Sequence, residues 1–246
     1  MTYRCQLSSL GKESQKSKMK AANFTFLLNQ SVSFISDDWK NKHADLLGDE
    51  HWNTIGERIY SFAFENKIRH SALPTFNEEI VSDYPSHYQY FENMKSIVGK
   101  NEDERPQIIA KAIEKAPLES LLIILGQRKS PASVNDKNAI PPVREQLLKS
   151  CFEPYNEQIC KAARAREKHI ARHEGTALWG KIEGTPEEKK QVTKATVIKI
   201  INKKTWWNVF THYKHGVVYE VRIASGEGIR WKKNKLELIG FLEPFV

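Results

Sequence analysis

This 246-residue sequence lacks most of the marks by which an enzyme or a membrane protein is usually read. It has three cysteines, Cys5, Cys151 and Cys160, and no C-x-x-C pair, which excludes a disulfide framework and points to a reducing, intracellular setting, cytoplasmic or nuclear. No apolar run approaches the roughly 20 residues of a membrane span, and Leu121 to Leu125 fits a core helix instead. Residues 1–20 are polar and basic, without the apolar stretch of a secretory leader, so Asn23-Phe-Thr and Asn29-Gln-Ser read as chance glycosylation matches. Glycine-rich phosphate loops are also missing. Gly226-Glu-Gly228 has no third glycine opening a helix, and Gly126-Gln-Arg-Lys-Ser130 lacks the Gly-Lys-Ser order. No Asp follows Asp136, which weakens any metal-nuclease reading of Glu220-Val-Arg222.

The net charge of +8 is concentrated at one end. Residues 189–246 hold twelve Lys and Arg against four Glu, while residues 1–188 balance at 26 of each sign. A local cationic excess of this kind implies a polyanionic partner for the last quarter of the chain.

That quarter also carries the strand signals. Ala195 to Ile201, Trp206 to Phe210, Val217 to Ile223, Ile229 to Trp231 and Leu236 to Phe241 are short runs rich in β-branched and aromatic residues, separated by Lys-, Asn- and Gly-containing turns. The alternation of Val217, Tyr219, Val221 and Ile223 with Val218, Glu220 and Arg222 describes a strand with one packed face. Five antiparallel strands over about 50 residues resemble the small β-barrels of the OB or SH3 type, a likeness of strand number and length with no motif behind it. Nine aromatics lie between Trp179 and Phe245, more than such a module can bury. Trp206 and Trp207 are adjacent, so on a strand they face opposite sides and one belongs outside the core.

Upstream the pattern is helical from Ala21 to about His173, behind a flexible basic arm over residues 1–20. Trp52, Ile55, Ile59, Phe62 and Ala63 form one apolar stripe. A helix from Pro154 to His173 sets Tyr155, Ile159, Ala162, Ala163 and Ile170 on one face and Lys161, Arg164, Lys168 and Arg172 on the other, a stripe suited to water or to a phosphate backbone. Arg166 falls inside the apolar face and needs a partner there. Residues 174–194 read as a hinge, with Trp179 plugging the seam between a helical domain (21–173) and a β module (195–246).

The expectation is therefore an α+β protein: a helical N-terminal domain followed by a five-stranded, barrel-like module. Its expected function is non-catalytic binding of single-stranded DNA or RNA, with no cofactor or metal. Trp206, Trp207, Tyr213 and Trp231 would stack on bases. Lys203, Lys204, Arg222, Arg230, Lys232 and Lys233, with the stripe Lys161, Arg164, Lys168 and Arg172, would meet phosphates. An adaptor docking an acidic protein surface is the alternative. A metal enzyme built on His43, Asp45, Asp49 and His51 is a third reading, although Asp49 and Glu50 also suit a helix N-terminus. Cys151 and Cys160 read as structural thiols, since His169 points away from Cys160 on the same helix.

Overall fold

The computed structural model describes residues 19–172, 179–181 and 183–245. The arm expected over 1–20 therefore lies outside it except at its end, where Met19 packs into the core and its carbonyl accepts from the Tyr60 hydroxyl at 3.1 Å. Cys5, His173 and residues 174–178 and 182 of the expected hinge also fall outside.

Among the described residues the helical part consists of α1 (Ala21–Ser31), α2 (Asp37–Lys42), α3 (Asp49–Glu65), α4 (Tyr84–Tyr88), α5 (Glu104–Lys115), α6 (Leu118–Leu125) and α7 (Arg144–Phe152). The α3 stripe is as expected, with Trp52, Ile55, Ile59 and Ala63 buried. Asp49 and Glu50 occupy the first turn of α3, where their charge meets the positive end of the helix dipole. Ser36 caps α2, accepting from the Trp39 N–H at 3.4 Å.

The helix expected from Pro154 begins later, as α8 (Lys161–Ile170), because Pro154 and Cys160 pair as an isolated bridge and hold 154–160 in a loop. Buried Arg166 turns to the backbone, its Nη2 donating to the carbonyls of Trp179 and Lys181, while its Nε has no partner among the described residues. Trp179 is 1% exposed.

The first expected strand is instead the end of α9 (Pro186–Asn202). Thr185 and Glu188 close a capping box, the Thr185 N–H donating to the Glu188 carboxylate at 2.7 Å, with Pro186 in the first turn. The β-branched run that suggested a strand continues the buried stripe of this helix, Thr193, Thr196, Val197, Ile200 and Ile201, at 3,4 spacing. Helical start signals and periodicity outweigh β-propensity here.

Four strands remain: β1 (Lys204–His212), β2 (Gly216–Ile223), β3 (Gly228–Lys232) and β4 (Leu238–Leu242), antiparallel in the order β1-β2-β3-β4. The sheet is open, so neither the fifth strand nor the barrel is present. The outer edge of β1 is occupied by the helical part. Arg128 N–H donates to Trp207 O at 3.1 Å, Val134 N–H to Val209 O at 2.9 Å, and Thr211 N–H to Ala132 O at 2.9 Å. An edge already paired cannot close onto β4. One sheet face, with Trp207, Val209, Tyr219, Val221, Ile229, Trp231 and Phe241, is buried, with α9 lying against β2 and β3 and α8 along β4.

Gly228 faces Arg222 of β2 with no room for a side chain: a Cβ there would collide with the Val221 carbonyl and come within 2.7 Å of Arg222 Cγ. Gly228→Ala is therefore expected to destabilise the fold by about 1–3 kcal/mol through overpacking, read as a lower urea midpoint at unchanged slope.

Candidate active site and nucleic-acid interface

The residues expected to form one open patch are dispersed. Trp206, Trp207 and Trp231 are 2%, 4% and 0% exposed. Trp206 does face away from the helical core, but Phe76 of the helical part and Phe245 pack on it, with ring centroids at 5.5 and 5.8 Å. Trp207 turns inward and donates to Leu125 O at 3.4 Å, and Trp231 stacks on Tyr219. None of these indoles is open to a base. Tyr213, by contrast, is 95% exposed.

The cations divide in the same way. Lys233 donates to Ile140 O at 2.6 Å, Lys232 pairs with Glu237 at 2.8 Å, and Lys161 pairs with Glu153 at 2.5 Å. Arg164 lies 3.9 Å from Glu167. Lys204 is half-buried at the seam, while Lys203, Lys168 and Arg172 are exposed.

Arg222 and Arg230 belong to a buried network that sequence reasoning missed. Glu220 receives Arg222 Nε on one oxygen at 2.5 Å and Arg230 Nε on the other at 2.6 Å. Arg222 Nη1 donates to the carbonyls of Gly226 and Glu243, both at 2.6 Å, and its guanidinium stacks on Phe245 at 3.8 Å. Strand register brings these charges together: Glu220 faces Arg230, and Arg222 is its same-face neighbour two residues along β2.

The network continues to an imidazole. The Glu243 carboxylate, just beyond β4, accepts from Trp179 Nε1 at 2.9 Å and lies 2.7 Å from His169 Nε2 on the last turn of α8. Phe241 packs beside both rings, 5.1 Å from Trp179 and 6.4 Å from His169. A carboxylate at this distance orients the imidazole, which is what a proton-transferring histidine requires. The two residues are 74 positions apart, so no local motif announces the pair. The available signal was the scarcity of carboxylates in residues 189–246, where each Glu has many cations to choose from.

At the far end of the sheet the β1–β2 turn carries a stack of rings. His212 lies 4.6 Å from Tyr213 and 4.9 Å from His215, and His212 Nδ1 accepts from Lys214 N–H at 3.1 Å. Partial burial lowers the pKa of both imidazoles, helped at His212 chiefly by Arg230 and at His215 by Lys214 and Arg230.

The remaining candidates have other partners. His43 Nδ1 lies 3.1 Å from Trp39 O and His51 Nε2 lies 2.8 Å from Pro141 O. Among the described residues no three His, Cys, Asp or Glu side chains converge, so the metal enzyme built on His43, Asp45, Asp49 and His51 has no site there. Burial pushes the Cys151 thiol up to about 12, which removes the thiolate a nucleophile needs.

Residues 148–243, under half of the chain, match the family model described as the CdiA C-terminal tRNase toxin domain. No curated protein and no solved structure matches the chain. The matched span covers α8, α9, all four strands and the His169–Glu243 pair. It overturns the expectation of a non-catalytic binder or adaptor, since the family it names is one of enzymes, while a tRNase agrees with nucleic acid as the class of partner.

Glu220 is the counter-charge of two arginines at 1% side-chain exposure. Its replacement by Gln leaves Arg222 buried without a carboxylate. Glu220→Gln is expected to cost about 3–5 kcal/mol in chemical denaturation, and a loss below 1 kcal/mol would show that the network is not a supporting element.

Proposed function

We propose that residues 148–243 form a tRNA-cleaving nuclease of the toxin type, with His169 as a catalytic residue and Glu243 as the carboxylate that positions it. The match over 148–243 carries this reading, and the His169–Glu243 contact at 2.7 Å supplies it with chemistry. RNA holds its own nucleophile, the ribose 2′-hydroxyl. A base takes that proton, the 2′-oxygen attacks the adjacent phosphorus, and the 5′-oxygen of the next nucleotide leaves with a proton, giving a 2′,3′-cyclic phosphate and a 5′-hydroxyl. His169, held by Glu243, serves one of these two transfers.

His169→Ala is expected to slow tRNA cleavage by about 100-fold or more on denaturing gels, the usual worth of a general acid–base group. tRNA binding by the same variant should survive. Glu243→Gln should slow the reaction less and move its pH profile, because a neutral amide replaces the carboxylate beside the imidazole. A substrate with 2′-deoxyribose at the cleaved nucleotide should resist. Undiminished cleavage by His169→Ala rules out this assignment.

The exposed ring stack at the β1–β2 turn extends the reading to substrate contact. Tyr213 is supported from behind by His212, and Lys214 and Arg230 lie close enough to depress both histidines. In this proposal Tyr213 stacks on an unpaired base of the tRNA, with Lys203, Lys168 and Arg172 as further phosphate contacts. Tyr213→Ala should raise KM about tenfold with little change in kcat, and Tyr213→Phe should behave as wild type.

A further inference from the structure

Where α3 and the loop ahead of α4 meet the end of α9 and the start of β1, the surface folds into a cleft of about 520 Å³. Four side chains that line it are cationic, Arg58, Arg69, Arg128 and Lys204, and a single carboxylate, Glu50, joins them. Two of the four are neutralised: Arg69 meets Glu65 at 3.3 Å, and Arg128 is clamped by Glu79 and by the carbonyls of Leu73 and Pro74. Arg58 and Lys204 form no ion pair among the described residues. Glu50 forms an ion pair with neither: its Oε2 accepts from the Arg144 N–H at 2.6 Å, and its charge only partly offsets the burial of Lys204.

Both cations lie at helix C-termini, whose carbonyls offer some compensation. Arg58 Nη1 donates to Ile124 O at 2.9 Å, and Lys204 Nζ lies 3.5 Å from Ile201 O. That accounts for one of the five N–H donors of Arg58 and, at the limit of hydrogen-bond distance, one of the three on Lys204. Burial lowers the pKa of both groups, as it does for charges withdrawn from water with too little opposite charge nearby. Gly126 makes the position of Arg58 possible: a Cβ there would come within 3.0 Å of its guanidinium. The opposite wall is flat, with His70 stacked on Tyr84 at 4.3 Å and 22°.

We infer that this cleft is a phosphate-binding site, in which Arg58 and Lys204 together take the oxygens of a phosphate ester carried by a nucleotide or by RNA. A phosphate ester is rich in acceptors, matching the surplus of donors, and its doubled contact with Arg and Lys is the usual form of phosphate recognition. The His70–Tyr84 wall suits the attached base. Strand register relates the cleft to the proposed catalytic pair. Lys204 opens β1, Leu242 closes β4, and both lie at the same end of the sheet, on opposite edge strands. Three strand spacings separate them, roughly 14 Å across the sheet. RNA bound at His169 therefore has a second phosphate within reach of the cleft. Placing RNA there rests on the nuclease reading; phosphate binding does not.

The test is calorimetric titration of the full chain with AMP and with inorganic phosphate, on wild type, Lys204→Met, Arg58→Gln and Lys204→Arg, each first shown to melt cooperatively. AMP should bind wild type, lose about tenfold or more in affinity with Lys204→Met and with Arg58→Gln, and recover with Lys204→Arg. Absence of binding to wild type, or equal binding by all four proteins, overturns the inference. Steady-state tRNA cleavage separates the sources of the phosphate. A raised KM at unchanged kcat in Lys204→Met supports RNA as the ligand, and an unchanged KM beside lost AMP affinity supports a free nucleotide and overturns RNA. If the chain cuts no tRNA, the nuclease reading fails while the AMP titration still decides the cleft.

Discussion

A strand edge exposed to water presents a row of unpaired amides and carbonyls, and a β-structure must close, cover or pair it. In this chain the edge of β1 is paired by residues 128–134, contributed by the segment that follows α6. That pairing fixes much else. It keeps the sheet open, brings Gln127 and Ser133 onto Asn208, and draws the helical part over the second sheet face. It also sets α3 beside the start of β1, which creates the cleft containing Arg58 and Lys204.

The second organising element is charge withdrawn from water. Glu220 joins Arg222 and Arg230, Arg222 ties itself to the backbone of Glu243, and the Glu243 side chain meets His169 and Trp179. Isolated charges buried this deeply would be costly; bound in one chain of contacts they specify how α8, β2, β3 and the residues after β4 sit together. In the proposed nuclease that chain is also what holds the imidazole in place. A catalytic group gains from such support because a small error in its position costs rate.

The errors of sequence reading have identifiable causes. Ala195 to Ile201 satisfied β-propensity, but it also satisfied helical spacing, and the Thr185–Glu188 box decided in favour of helix. Adjacent Trp206 and Trp207 do lie on opposite faces of β1. The inference that one of them meets solvent failed because Phe76, from 130 residues upstream, and Phe245 cover it. Strand alternation reports the face of a sheet, and what lies on that face is a tertiary matter. The cationic excess did point to nucleic acid as the class of partner. It did not point to catalysis, because the proposed pair, His169 and Glu243, shares no local pattern.

By itself the sequence determined the local structure with strong, short-range causes: the apolar stripe of α3, the positions of β1 to β4, the burial of Trp179, and the gathering of positive charge in the last quarter of the chain. Those features depend on periodicity, turn chemistry and composition, all of which act within a few residues. Tertiary structure alone decided that the sheet stays open, that three tryptophans are sealed, that Glu220 gathers two arginines and that His169 finds Glu243. These outcomes depend on which distant segment reaches a given edge or face, and that is set by the packing of the whole chain and not by the pattern of any one stretch.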